Sequence, residues 1–169
     1  ILSDQSILAT GRMVPVEEKD GCAELDIIEP NQVRETIASY QPDVIVHLAA
    51  MTDVDGCERD PELAFDVNVR GTEHLLNNFN GRFIFISTDY VFDGSNGPYA
   101  EEDKVNPLSV YGRTKLYGED LVQRSDANWV ILRSNVVFSF QERTKASFMD
   151  WVVDSLKNRQ SITVVDDQW

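Results

Sequence analysis

The chain has 169 residues, 42% of them hydrophobic, which is the composition of a folded globular domain. It carries 29 acidic and 15 basic side chains, a net charge of −14, and this excludes nonspecific attraction to nucleic acid. The apolar runs are too short for a membrane span or a signal peptide, and Cys22 and Cys57 lack metal-ligand spacing. We therefore expect a cytoplasmic protein with reduced thiols and with no metal, nucleic-acid or membrane partner.

Short apolar runs alternate with helical stripes along most of the chain. The apolar runs predict strands over residues 7–9, 24–27, 44–48, 83–86, 129–132 and 162–165. The stripes predict helices that begin near Pro30, Pro61, Pro107 and Phe148, with Gly81 ending the second. Residues 44–48 are apolar enough for burial on both faces of a parallel sheet. The alternation predicts an α/β fold with a doubly wound parallel sheet.

Tyr111 and Lys115 lie four residues apart in the helix that follows Pro107. Residues at i and i+4 share a helix face, so a phenol and an ammonium can enter one cleft. The cation would favour the phenolate, and bringing a phenol to neutral pH needs a shift of about 3 units, or roughly 4 kcal/mol. The pair predicts an acid for catalysis, and a solvated helix face is the alternative for so short a motif.

Two strand ends carry side chains that suit a ligand. Ser87, Thr88 and Asp89 follow one predicted strand, and ligands of open α/β sheets bind at the carboxyl edge. Ala49 and Ala50 follow another, and their small side chains let a ligand approach the backbone, although tight packing explains them equally well.

Arg12 follows the first predicted strand. In a dinucleotide fold the second strand ends at the adenosine ribose, where an arginine can bind a 2′-phosphate. Arg12 is therefore a candidate NADP contact, and a solvated side chain is the alternative.

Four stretches together resemble the extended short-chain dehydrogenase/reductase superfamily, and within it the dTDP-4-dehydrorhamnose reductase family. They are His47 to Asp55 with Glu58, Asn68 to Thr72, Ser87 to Gly94 with Pro98 and Tyr99, and Asn106 to Leu108 with Tyr111 to Leu116. The resemblance implies a partial NAD(P)-binding, Rossmann-like domain over residues 1–169, incomplete at both ends. A substrate lobe could begin within residues 136–169.

The resemblance also implies a reaction, in which NADPH, or alternatively NADH, delivers hydride to the 4-keto group of a nucleotide-linked deoxysugar. Tyr111 would protonate the developing alkoxide, and Lys115 would lower the tyrosine pKa and hold the nicotinamide ribose. Thr88 would hydrogen-bond the carbonyl oxygen, and Asp89 would contact the substrate. Tyr111 and Lys115 also match cofactor contacts, and the other matching positions are Asp26, Ile27, Ala49, Ala50 and Met51. Asp26 as a strand-end cap and Asp89 as a turn residue are the competing interpretations.

Two features depart from the family. Its opening strand and glycine-rich turn, whose amides receive the pyrophosphate, are missing, so we expect a fragment whose sheet lacks a central strand. Where many of these reductases carry a tryptophan that packs on the sugar, just after the strand ending at Arg133, this chain has Val136 and Val137. The reaction type is therefore better supported than the particular sugar.

Two other functions stay open. The β subunit of methionine adenosyltransferase resembles the same reductases, so a non-catalytic NADP-binding regulatory subunit is one alternative, although Thr52 to Asp55 look more like the reductases. A sugar-nucleotide epimerase or dehydratase is the other, and it would hold NAD tightly, which Arg12 argues against. Homo-oligomer formation is left open.

Overall fold

The structure is a computed structural model that describes residues 6–13, 21–135 and 148–161. The strands are β1 (Ala9–Gly11), β2 (Cys22–Glu24), β3 (Val44–His47), β4 (Arg82–Thr88) and β5 (Asn128–Ser134). The helices are α1 (Pro30–Tyr40), α2 (Val54–Arg59), α3 (Pro61–Phe65), α4 (Gly71–Asn78), α5 (Val110–Arg124) and α6 (Phe148–Lys157). The strand predicted over residues 162–165 lies outside the described residues.

All described strand pairs are parallel, which confirms the predicted α/β class. β1 pairs with β2 in one small sheet, with Ala9 opposite Cys22. β3, β4 and β5 form a second sheet in that order, in which Val46, Ile84 and Val130 share one register row. The carboxyl ends of the three strands therefore lie at one edge.

The core lies on one face of the larger sheet. Phe83 and Phe85 of β4 are fully buried there and pack with Val33 of α1, Leu75 of α4 and Val122 of α5. Successive residues of a strand point to opposite faces, so Phe83 and Phe85, two residues apart, both enter this core.

The prediction that residues 44–48 are buried on both faces was wrong. Val44 and Val46 are 46% and 51% exposed. They point away from the face that carries Phe83 and Phe85, where α1, α4 and α5 pack. An apolar run thus marked a strand, and packing decided which of its faces is covered.

The predicted helix from Pro61 is continuous but not regular. Asp60 caps it by accepting a hydrogen bond from the Leu63 amide (3.0 Å). A π-helical turn, Asp66–Arg70, then joins α3 to α4. The helix ends at Asn78 rather than at Gly81, because Phe79 already has extended backbone angles.

A buried carboxylate joins α5 to the carboxyl ends of two strands. Glu119 is fully buried and receives hydrogen bonds from the guanidinium of Arg133 on β5, with Nη2 to Oε2 at 2.7 Å and Nε to Oε1 at 3.0 Å. Ser87 of β4 donates to the same carboxylate. Charge-assisted bonds from two strands hold this helix against the sheet edge.

We expect Glu119→Gln to lower the free energy of unfolding of the full-length protein by about 3 kcal/mol, because it leaves the mostly buried guanidinium of Arg133 without its counter-charge. Urea unfolding followed by circular dichroism measures the change. Arg59→Gln is the control, since it breaks an exposed ion pair with Asp53 and should change the same quantity by less than about 1 kcal/mol. Equal losses of unfolding free energy in the two variants would contradict the stabilising role of Glu119.

Gly112 lets the first turn of α5 approach the turn after β4. A β-carbon at this position would overlap the carbonyl oxygen of Tyr90 and lie 3.1 Å from Pro107 Cβ. Alanine in a helix is ordinarily more stable than glycine by about 1 kcal/mol. At position 112 the close packing makes glycine the more favourable residue.

We therefore expect Gly112→Ala to destabilise the full-length protein by about 1–3 kcal/mol in urea unfolding, because backbone atoms of Tyr90 must move. Gln123→Ala, at an exposed position of the same helix, is the control and should leave the unfolding free energy nearly unchanged. A gain of stability in Gly112→Ala would show that the helix can shift without penalty.

Candidate active site

Thr88, Asp89 and Tyr111 meet where β4 ends, as the sequence predicts. Thr88 is the last residue of β4 and is buried, and a 3₁₀ turn, Asp89–Val91, follows it. The Thr88 hydroxyl accepts a hydrogen bond from the Tyr90 amide (3.2 Å) and donates to Asp89 Oδ1 (3.1 Å). Tyr111 lies in the first turn of α5, with its ring edge-to-face on Tyr90 at 5.7 Å.

The expected lowering of the Tyr111 pKa is not what the structure shows. Burial raises the pKa of the phenol, and hydrogen bonding from Thr88, which acts in the other direction, is the smaller effect. Asp89 raises it further, and Lys115 is not among the groups that act on it. Tyr111 is therefore a neutral phenol at neutral pH, so it holds a proton that it can donate.

Lys115 lies one turn further along α5 and is 3% exposed. Its ammonium lies over the ring of Phe85, with Nζ 4.1 Å from the ring centroid. The predicted pair thus shares a helix face, but the described contacts of the cation are with the sheet rather than with the phenol.

Burial lowers the Lys115 pKa from 10.5 to about 8, and the charge of Glu119 opposes this shift. Because the folded pKa is the lower one, the unfolded chain binds more protons between pH 8 and 10.5. The buried ammonium therefore opposes folding most strongly below pH 8, and this effect fades as the pH rises toward 10.5. At neutral pH the group is still a cation.

Asn68, in the π-helical turn, links the loop after β3 to α5. Its side chain accepts from the Met51 amide (2.8 Å) and donates to the Met51 carbonyl (3.2 Å). It also donates to Thr114 Oγ1 (2.9 Å), and Thr114 in turn donates to the Tyr111 carbonyl (2.9 Å). Asn68 is 1% exposed, so the centre of this bridge between Met51 and the helix of Tyr111 is shielded from solvent.

The remaining predicted cofactor positions fall in two places. Ala49 is exposed and Ala50 half-buried in the loop that Met51 anchors, beside the strand ends. Arg12 is exposed after β1, at the carboxyl end of the small sheet.

Asp26 and Ile27 follow β2 and serve structural contacts. Asp26 Oδ1 accepts a hydrogen bond from the Ile28 amide (3.2 Å) just after β2 ends, which agrees with the strand-end cap named as its alternative. The Ile27 side chain belongs to the core and lies against Gly71, while its carbonyl accepts from His74 Nδ1 (2.9 Å). A cofactor contact from Ile27 would therefore come from its backbone rather than from its side chain.

Hydrogen bonds to one carboxylate, Asp93, organise the loop after the 3₁₀ turn. Asp93 accepts hydrogen bonds from the Ser95 hydroxyl (2.7 Å), the Tyr99 hydroxyl (2.8 Å) and the Asn106 side chain (2.9 Å), and these lower its pKa. Arg133 closes the loop over the sheet by donating to the Glu101 carbonyl (3.0 Å). A polar cavity of about 370 Å³ lies beside Asp93.

Sequence reasoning assigned no role to Asn68, Glu119 or Arg133. A signal was available for two of them. Asn68 interrupts the buried stripe of its helix, where a polar residue needs partners, and Glu119 lies one turn after Lys115 on the same face. The partner of Glu119 on β5 could not be read from local spacing.

Comparison with known proteins places this chain in a family. The RmlD substrate binding domain family matches residues 3–169. The dTDP-4-dehydrorhamnose reductase of Salmonella typhimurium is 35% identical over 171 residues, covering 98% of this chain and 56% of that protein. Methionine adenosyltransferase 2 subunit beta of Danio rerio is 37% identical over 142 residues, covering 83% of this chain and 44% of that protein.

A solved structure gives the same result. The dTDP-4-dehydrorhamnose reductase of Bacillus anthracis in complex with NADP superposes with a TM-score of 0.78 at 29% identity, covering 92% of this chain and 57% of that one. The chain spans about half the length of the curated relatives it matches. The match over residues 3–169, together with these relatives, confirms the resemblance seen in the sequence: the chain belongs to the RmlD substrate binding domain family.

Proposed function

We propose that the protein containing this chain reduces the 4-keto group of a nucleotide-linked deoxysugar with hydride from NADPH, converting dTDP-4-dehydrorhamnose to dTDP-rhamnose. The observation that carries the proposal is the meeting of a neutral phenol, Tyr111, with Thr88 and Asp89 at the edge of a parallel sheet. Ligands of open α/β sheets bind at this edge. Reductases named for this reaction are similar to the chain over most of its length.

The residues present suit the nicotinamide half of the cofactor. Lys115 is a buried cation that follows Tyr111 by one turn of α5, and its ammonium would donate to ribose hydroxyls. Met51 is fixed by Asn68, which leaves Ala49 and Ala50 to line the cofactor. Arg12 would receive the 2′-phosphate of the adenosine half. When bound, NADPH supplies the hydride.

The protein's own part in the reaction is proton delivery and charge stabilisation. A carbonyl that receives hydride becomes an alkoxide, so donors held near that oxygen stabilise the transition state more than the ketone. Tyr111 donates its proton to that oxygen, and Thr88 donates a hydrogen bond. Because its pKa is raised, Tyr111 is protonated at neutral pH and holds the proton that this step needs, although the same shift makes it a weaker acid than a free phenol.

NADPH oxidation by the full-length protein tests this function. The absorbance of the reduced nicotinamide is followed with dTDP-4-dehydrorhamnose and without it. Turnover that depends on the sugar nucleotide supports the proposal. NADPH binding without turnover would instead favour a regulatory subunit, the role suggested by the similarity to methionine adenosyltransferase 2 subunit beta.

We expect Tyr111→Phe in the full-length protein to lower kcat by about 10²–10⁴-fold, since it removes the proton donor, while the Kd for NADPH stays within about twofold. Steady-state kinetics and fluorescence titration measure the two quantities. Tyr117→Phe, at an exposed position of the same helix, is the matched control and should retain full activity. Wild-type kcat in Tyr111→Phe would remove this residue from the mechanism.

We expect Arg12→Ala to weaken NADPH binding by about tenfold and NADH binding by less than about twofold, because only NADPH carries the 2′-phosphate that a guanidinium would pair with. Titration of each cofactor measures the two dissociation constants. Arg124→Ala, in the last turn of α5, controls for loss of a positive charge far from the strand ends. An equal loss for NADPH and NADH would show that Arg12 does not bind the phosphate.

A further inference from the structure

Helix α2, which the sequence did not predict, contacts the loop after β3 through Cys57 and the start of α5 through Glu58. The Cys57 thiol is fully buried and donates to the Met51 carbonyl at 3.5 Å. The Glu58 carboxylate accepts a hydrogen bond from the Val110 amide at 2.6 Å. Met51 belongs to the loop proposed to line the cofactor, and Val110 is the first residue of α5. The helix therefore connects that loop to the start of the helix that carries Tyr111.

The first turn of α5 depends on acceptors from outside the helix. The first amides of any helix have no intrahelical partner. Ser109 caps one of them, accepting from the Gly112 amide at 3.0 Å, and the first turn contains no acidic residue of its own. Glu58, 52 residues earlier in the chain, supplies the missing acceptor and a negative charge at the positive end of the helix dipole.

The hydrogen bond that Glu58 accepts lies next to Tyr111, the proposed proton donor. Val110 immediately precedes Tyr111, so the hydrogen bond to its amide fixes the turn from which the phenol projects. The rest of α5 is held independently, by Glu119 with Arg133 and by Gly118 packed on the Phe85 ring. Glu58 itself is exposed, which limits what its hydrogen bond can add to global stability.

We propose that Glu58 is a positioning residue for Tyr111, holding the first turn of α5 so that the phenol keeps its place beside Thr88. This role rests on the proposed function, which makes Tyr111 the proton donor. Small displacements of a reacting group are costly: a misplacement near 1 Å can lower a rate about 100-fold. The contribution of Glu58 should therefore appear in kcat rather than in folding.

Kinetics of the full-length protein test the proposal. We expect Glu58→Ala to lower kcat by about tenfold, with the KM for NADPH and the urea midpoint nearly unchanged. Glu58→Gln keeps an oxygen acceptor and should restore kcat to within about threefold of the wild type. Glu35→Ala is the matched control, because Glu35 is an exposed helical glutamate with no hydrogen bond or ion pair to another described residue.

Amide hydrogen exchange supplies a readout that needs no turnover. Exchange in a peptide covering residues 108–115 should be faster in Glu58→Ala than in the wild type, and unchanged in Glu35→Ala. Unchanged exchange in Glu58→Ala, or a fall in kcat matched by a general loss of stability, would overturn the proposal. If the wild type shows no turnover, the proposed function fails, and the exchange result still decides whether Glu58 holds this turn.

Discussion

The buried carboxylate of Glu119 is the interaction on which the site depends. It accepts hydrogen bonds from Arg133 on β5 and from Ser87 on β4, so one side chain of α5 is bonded to the carboxyl ends of two strands. A buried carboxylate without partners would be strongly unfavourable, and this requirement allows few positions for the helix. Tyr111 and Thr88 meet because these hydrogen bonds hold α5 against the carboxyl end of β4.

Burial also sets the charge states of His47, Lys115 and Tyr111. His47 is buried, and burial, followed by the nearby charge of Lys115, lowers its pKa to about 3, so the imidazole stays neutral. Its Nε2 lies 3.0 Å from the Thr72 hydroxyl, which donates to the Asn68 carbonyl. Lys115 keeps its charge over the Phe85 ring at neutral pH. At neutral pH His47 is therefore neutral, Lys115 is a desolvated cation, and Tyr111 keeps its proton because of its own burial.

Sequence reasoning found what local patterns encode. The strand predicted over residues 83–86, which runs on to Thr88 in the structure, and the helix pair Tyr111 and Lys115 follow from periodicity and spacing. It missed what depends on distant partners: the raised pKa of Tyr111 results from tertiary burial, whereas the local pair suggested a lowered one. It also missed α2, because six residues with few apolar positions make no detectable stripe, and the exposure of Val46, because periodicity does not say which sheet face is covered.

The most direct test of the account is the fate of the hydride. The full-length protein is given NADPH deuterated at the transferable position together with dTDP-4-dehydrorhamnose, and the product sugar is analysed by mass spectrometry and NMR. The account predicts one deuterium at C4 of the sugar and one equivalent of NADP released per product. A sugar nucleotide recovered without deuterium, or altered at another carbon while the cofactor stays reduced, would contradict it.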